Sequence, residues 1–283
     1  MKILLTGASG QLAHAVLQLW ADQGWTGDEL VAPEESLFDL GDPQAIRSVV
    51  AAVRPQVVLN LGAFTQVDLC EAQPERALLV NATAVGWLAE ACAERQALLV
   101  QISTDYVFDG LGSTPYREEE APNPRSEYGR TKLAGEALAR MAPEHLILRT
   151  SWLYDAWGRN FYRTMLNAAA QGRTLRVVDD QVGAPTSCRA LARQLAQALK
   201  EGWRGVVHGT CHGSTSWHGF AAEIFRQKGL QVDLVPCQTA DYPLPAARPP
   251  YSVLSGDRRS ILGTDLMPSW EAGLREVVAA DRN

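Results

Sequence analysis

Cysteine is scarce and scattered in this chain: Cys70, Cys92, Cys188, Cys211 and Cys237 are five among 283 residues. An odd number at wide spacing argues against a disulfide framework and for buried, reduced thiols. Charge of one sign is lacking as well. A formal net charge of −6 supplies no basic field of the kind that phosphate-backbone binding needs, so no nucleic-acid partner is expected. No run of eighteen apolar residues occurs, and the opening apolar stretch is too short for a signal-peptide core. The expectation is a cytoplasmic protein without a membrane partner. Internal repeats and low-complexity segments are absent. His208, Cys211, His212 and His218 lie close together, yet their spacings match no zinc pattern and no metal is expected. The eight tryptophans form no evident stacking stripe and read mostly as core contacts.

What is present is a regular alternation of short apolar runs and helical patterns from the first residue to about residue 180, which predicts an α/β fold with a doubly wound parallel sheet. Candidate strands are 2–6, 29–32, 57–61, 98–103, 145–149 and 174–178. Asp42 and Pro43 supply an N-cap and a first-turn proline for a helix over 43–53. Further helices are predicted over 78–95 and 128–140, the latter stopped by Pro143. The polar stretch 109–125, rich in glycine and proline, reads as a loop able to border a ligand site. Beyond about residue 180 the elements shorten and prolines cluster over 236–250. This predicts a second, smaller C-terminal lobe, within the single large core that 283 residues and 46% hydrophobic content allow.

Two patterns carry chemistry. The first strand runs into Gly7-Ala-Ser-Gly10-Gln-Leu-Ala13 and then into a helix. Gly7 permits a tight turn, Gly10 lets backbone approach a pyrophosphate, small Ala13 packs helix on strand, and the helix N-terminus faces the anion. The second pattern is Tyr128 and Lys132, four apart on a predicted helix and therefore on one face. A lysine ammonium beside a phenol, whose ordinary pKa is about 10, stabilises the ionised form and makes the tyrosine a usable general acid. Upstream, an apolar run ends in Ser103-Thr-Asp-Tyr106. Either hydroxyl can serve a reacting oxygen, but adjacent strand residues face opposite ways, so only one is expected to.

These residues resemble the extended short-chain dehydrogenase/reductase family, and within it the dTDP-4-dehydrorhamnose reductase branch. The likeness extends over nearly the whole chain through Gly62-Ala-Phe-Thr-Gln-Val-Asp68, Ser103-Thr-Asp-Tyr-Val-Phe-Asp-Gly110, Tyr128-Gly-Arg-Thr-Lys-Leu-Ala-Gly-Glu136, Arg149-Thr-Ser-Trp152, Asp179-Asp-Gln-Val-Gly-Ala-Pro-Thr186 and Arg248-Pro-Pro-Tyr-Ser-Val-Leu254. Ala13 stands where a third glycine is more usual, Phe64 where tyrosine is common, and Tyr251 where a smaller polar residue is found.

The resemblance implies a Rossmann-like nucleotide domain over 1–150, with returning segments near 188–215 (a helix from Cys188 to Lys200 and a strand from Gly205 to Cys211), and a mainly substrate-binding lobe over 151–283. It implies NADH or NADPH held by Gly7, Gly10, Gln11, Leu12, Asp39, Leu40, Ala63, Phe64, Thr65, Tyr128 and Lys132. Thr104 is selected over Ser103 as the catalytic hydroxyl beside Tyr128 and Lys132. The implied substrate is a nucleotide sugar, dTDP-4-dehydro-β-L-rhamnose, in contact with Thr104, Asp105, Trp152, Val182 and Thr186. Glu34 and Glu35 follow the second strand with no arginine near them, which leans toward NADH. An epimerase or dehydratase of the same superfamily, and a non-catalytic regulatory subunit similar to that of methionine adenosyltransferase, stay open as alternatives, as does a homodimer.

Overall fold

Apolar residues at alternate positions of each central strand are claimed by opposite faces, and this sets the architecture of the computed structural model, which describes residues 1–23 and 29–281. Six strands, β1 (Lys2–Thr6), β2 (Glu29–Val31), β3 (Val57–Asn60), β4 (Leu98–Thr104), β5 (His145–Thr150) and β6 (Gly205–His208), form one parallel sheet in the order β2-β1-β3-β4-β5-β6. On one face Ile3, Leu5, Leu59, Val100 and Leu148 pack against α1 (Gln11–Gln23) and α5 (Cys188–Glu201), with Ala13, Val16, Leu191 and Leu195 in the same cluster. On the other, Leu4, Val58, Leu99 and Ile147 meet α2 (Pro43–Val53) and α3 (Ala84–Arg95) through Ile46, Val50, Leu88 and Ala89. Each buried aliphatic chain is worth roughly 1.5–3 kcal/mol, so coverage of both faces makes the strands continuous apolar runs.

Capping marks where the helices begin. The Asp42 carboxylate accepts from the Gln44 amide at 2.8 Å with Pro43 in the first turn of α2, and the Ser126 hydroxyl accepts from the Gly129 amide at 3.1 Å at the start of α4 (Glu127–Ala139). Both satisfy amides that have no partner within the helix. The strand order reverses between β1 and β3, which opens a crevice beyond their carboxyl ends.

Two expectations are corrected. The strand expected over 174–178 forms as Leu175–Val178 but lies outside the central sheet, paired in parallel with Leu234–Cys237. Its burial gives the reason: Leu175 and Val177 are buried and Arg176 is exposed, a one-sided pattern that a strand covered on both faces does not show. The helix expected over 78–95 is interrupted. Pro74–Leu78 passes through a π-helical turn, Leu79–Thr83, before α3 begins, a distortion frequent at functional sites. Glu29 to Val31 and Gly205 to His208 are shorter than their expected ranges.

The later elements build a third cluster, with Tyr154, Tyr162, Phe220, Ile224, Trp270 and Leu274 at its centre. The histidines and cysteine of the dense segment take separate partners: the His208 ring faces the Ser255 carbonyl at 3.2 Å, His212 faces Asp265 at 3.1 Å and His218 faces Asp179 at 3.8 Å. No described helix is long and apolar enough to cross a membrane.

Candidate active site

A cavity of about 710 Å³ lies beyond the carboxyl ends of the sheet. At its β1 end the glycine turn has the close approach that the sequence pattern requires: Gly7 has φ +64°, and a Cβ there would stand 2.6 Å from the Gly62 Cα. Gly10 donates to the Gly7 carbonyl at 2.9 Å, so the turn leads directly into α1. Gly7, Gly10, Gln11 and Leu12 all line the cavity, as do Asp39 and Leu40 after β2 and Ala63 and Thr65 after β3. A side chain at Gly7 would collide with the next strand, and the cradle therefore fits a dinucleotide pyrophosphate. Glu35 lines the same end, while Glu34 is not among the lining residues.

Thr104, Asp105, Tyr106, Tyr128 and Lys132 converge at the opposite end. The two hydroxyls at the end of β4 have different partners. Ser103 donates to Glu136 at 2.6 Å, in a buried group where Arg149 also grips Glu136 through two bonds of 2.8 Å. The Thr104 hydroxyl instead donates to Asp105 at 2.9 Å and lies within hydrogen-bonding reach of Tyr128. Burial raises the Asp105 carboxyl to about 6, against the hydrogen bonds from Ser252 and Thr104 that favour its ionised form.

Lys132 differs from expectation. Its ammonium donates to the Ile102 carbonyl at 2.6 Å, and burial brings its pKa down to about 8 despite Glu136 nearby. Burial also pushes the Tyr128 phenol above its ordinary value, with Thr104 acting the other way and Asp105 and Cys70 adding to the rise. The anticipated lowering of the phenol by the lysine is not found: desolvation dominates, and the opposing effect comes from Thr104. A phenol held protonated near neutrality has its proton available to give.

The Ile102 carbonyl that orients Lys132 ends a ladder of polar side chains crossing the sheet. Thr6 donates to Asn60 at 2.5 Å, Asn60 to Gln101 at 2.6 Å, and Gln101 to Ile102 at 2.8 Å. Buried polar groups cost little only when every one is bonded, and here the chain of partners runs from β1 to the ammonium.

Three expected contacts lie outside the lining residues. Phe64 is buried, its amide and carbonyl both taken by the Asn81 side chain at 2.8 and 3.0 Å, so it serves the backbone path of Ala63 and Thr65. Thr186 is fully buried and bonded to the Ala184 carbonyl and the Cys211 amide. Val182 pairs with Ser216 in a short antiparallel bridge. Their segment supports the wall from behind: a Cβ on Gly183 would stand 2.5 Å from the Trp152 ring, and Thr186 donates its amide to the Trp152 carbonyl at 3.2 Å. Trp152 itself lines the cavity with a positive φ of 49° and stacks on Trp217 at 3.5 Å, the planes 4° apart.

Trp217, Tyr106, Gly62, Arg76 and Asn81 were not singled out in the sequence. Arg76 lies over the Phe64 ring at 5.1 Å and lines the cavity. An asparagine within an apolar helical run was the available signal for Asn81; the tryptophan pair is distant in sequence and left none. The 109–125 loop, expected near a ligand site, does not line the cavity. It is tied instead to 253–255 through the Tyr116 amide and carbonyl, at 2.9 and 2.7 Å.

With this geometry in place, comparisons with known proteins are informative. The RmlD substrate binding domain family matches residues 1–283. A dTDP-4-dehydrorhamnose reductase from Salmonella typhimurium is 39% identical over 290 residues, covering 98% of this chain and 97% of that protein. The crystal structure of a dTDP-4-dehydrorhamnose reductase from Clostridium acetobutylicum superimposes with a TM-score of 0.95 at 40% identity, over 99% of each chain. One from Bacillus anthracis, solved in complex with NADP, gives 0.94 at 33% identity, again over 99% of each.

Proposed function

Because the chain belongs to the RmlD substrate binding domain family, we propose that it catalyses the NAD(P)H-dependent reduction of the C4 ketone of dTDP-4-dehydro-β-L-rhamnose to dTDP-β-L-rhamnose. The observation that carries this reading is one cavity with a glycine cradle at one end and Thr104, Tyr128 and Lys132 at the other. The curated relative and the solved structures share the reaction in their names.

The reduced nicotinamide supplies a hydride when bound. Addition of hydride to the carbonyl carbon builds negative charge on its oxygen, and Tyr128 gives its phenolic proton to that oxygen so that C=O becomes CH–OH. Burial keeps Tyr128 protonated until this moment. Lys132, fixed by Ile102, has two further N–H groups, for the cofactor ribose and for the phenolate that remains. Preorganised donors aimed at developing charge are worth several kcal/mol because they do not reorganise during the step. Thr104 steadies the same oxygen, and its single proton has to turn from Asp105 to do so. The Trp152–Trp217 stack offers a flat wall to the sugar nucleotide, and residues after 150 furnish most of that side.

The test is the absorbance decay of NADH and of NADPH with dTDP-4-dehydro-β-L-rhamnose, followed by identification of the product. One cofactor oxidised per sugar reduced is expected. Turnover without net loss of reduced cofactor would instead identify an epimerase or dehydratase, and no turnover would leave the regulatory reading.

A further inference from the structure

Two of the sequence motifs end in residues with no part in the proposed proton transfer, and the structure joins them. Arg248 donates to one oxygen of Asp68 at 2.7 Å, and the Ala246 amide donates to the other at 3.1 Å. Arg248 also closes on its own segment through the Ala246 carbonyl at 3.2 Å. Asp68 thus holds residues separated by most of the chain with both of its carboxylate oxygens, an arrangement stronger than a single contact.

From this fastening the segment runs to Gly110 and Val182, beside the cavity rather than within its lining. Pro249 packs against Gly110, where a Cβ would stand 2.4 Å from the proline ring. Tyr251 donates to the Gly110 carbonyl at 3.2 Å and Ser252 to the Val182 carbonyl at 2.8 Å. The Ser252 side chain is buried beneath this segment. Val67, next to Asp68, lines the cavity, as do Asp105 and Tyr106. Tyr106 lies edge-on to Tyr128 at 5.6 Å and feels the charges of both Arg248 and Asp68.

We infer that residues 246–252 form a strap fastened by the Asp68–Arg248 pair beside the reacting end of the cavity, making Asp68 and Arg248 positioning residues that hold Tyr106 for the nucleotide sugar. This rests on the proposed function for the identity of the ligand. The ion pair is partly exposed, with side-chain exposures of 13% for Arg248 and 36% for Asp68. Such a pair adds little to global stability, and its loss frees the strap without unfolding the protein.

The experiment compares wild type with Arg248→Ala, Asp68→Asn and the charge-exchanged Asp68→Arg/Arg248→Asp protein. In each, steady-state kinetics with dTDP-4-dehydro-β-L-rhamnose, NADH binding by fluorescence, dTDP binding by calorimetry and amide hydrogen exchange over 246–252 are measured. For Arg248→Ala, kcat/KM for the sugar falls about tenfold while NADH affinity stays within about twofold, a split that a general loss of structure does not produce. Exchange at Ala246, Tyr251 and Ser252 accelerates, and the charge exchange recovers part of the loss. Wild-type kcat/KM in Arg248→Ala, an equal loss of NADH affinity, or unchanged exchange across 246–252 would each overturn the strap. If the wild-type protein oxidises no cofactor with this sugar, the functional reading fails by itself, and exchange together with dTDP binding still decides the strap.

Discussion

Asp105 and Lys132 face one cavity and are driven toward one another in pKa, to about 6 and about 8. Both are charged between those values. Since Lys132 is brought down from its ordinary value by burial, its ammonium is lost as pH rises through about 8, and kcat/KM should decline on that side. The pH profile of Lys132→Met is expected to lack this alkaline limb. Tyr128→Phe removes the proton donor and should lower kcat by about 10²–10⁴-fold, the usual scale of general acid catalysis, with NADH affinity unchanged in a fluorescence titration. Retention of wild-type kcat would reject Tyr128 as the acid. Glu35 lines the wall of the same cavity, where like charge would oppose a ribose 2′-phosphate. In Glu35→Arg the ratio of kcat/KM for NADPH to that for NADH should rise about tenfold or more, consistent with one new charge-assisted contact. At this scale the glycine turn and the Tyr–Lys spacing were readable because each is local. The direction of the Tyr128 shift was not, since it depends on how deeply a phenol is enclosed, which spacing does not encode.

Elements place these residues through contacts that sequence proximity hides. Trp152 adopts a positive φ, a conformation that costs a non-glycine residue of order 1 kcal/mol and persists where the surroundings over-determine it. Gly183 presses on one side of its ring and Trp217 stacks with it. Enlarging Gly183 forces the ring to move, so Gly183→Ala should raise KM for the nucleotide sugar several-fold while leaving NADH affinity as it is, measured in the same assay. A Gly183→Ala protein with unaltered sugar KM would show the stacked pair to be packing alone. Val182 and Thr186 were expected to contact the substrate on family likeness, yet neither lines the cavity. The start of α2 was legible from Asp42 and Pro43, and Ser126 caps α4 by the same local rule. The π-helical turn at Leu79–Thr83 was not, because it answers to Asn81 reaching Phe64 and Thr131, partners far away in the chain.

Across the whole molecule, two buried titratable groups oppose one another in stability. Burial and the charge of Arg149 hold His208 down at about 3, below its ordinary 6.5. Its neutral form is favoured in the fold, so stability is lost as pH falls from 6.5 toward 3, by about 1.4 kcal/mol per pH unit at full slope. Asp105 has the opposite sign: raised from 3.8 to about 6, its charged form penalises the fold above 6, and that penalty is relieved as pH falls toward 3.8. Over the window from 6 to 3.8 the two slopes offset. Asp105→Asn should therefore raise the melting temperature at pH 8 by several degrees and steepen its decline below pH 6, followed by calorimetry. An unchanged profile would mean that Asp105 reaches solvent in the folded protein. The parallel, doubly wound class of the sheet was legible from alternating strands and helices, and the return of a strand beginning at Gly205 from family likeness. The misplaced strand at Leu175–Val178 shows where pattern stops: Arg176 distinguishes a one-sided strand from a covered one only once its neighbours are known.

The hydrogen-bonded file from Thr6 through Asn60 and Gln101 to Ile102 also has a bearing on recombining this protein with its relatives. A chimera that exchanges the first strand for one without the Thr6 hydroxyl leaves the Asn60 acceptor on the neighbouring strand without its donor. Crossover points that keep residues 6, 60 and 101 together should yield active hybrids where those that separate them do not.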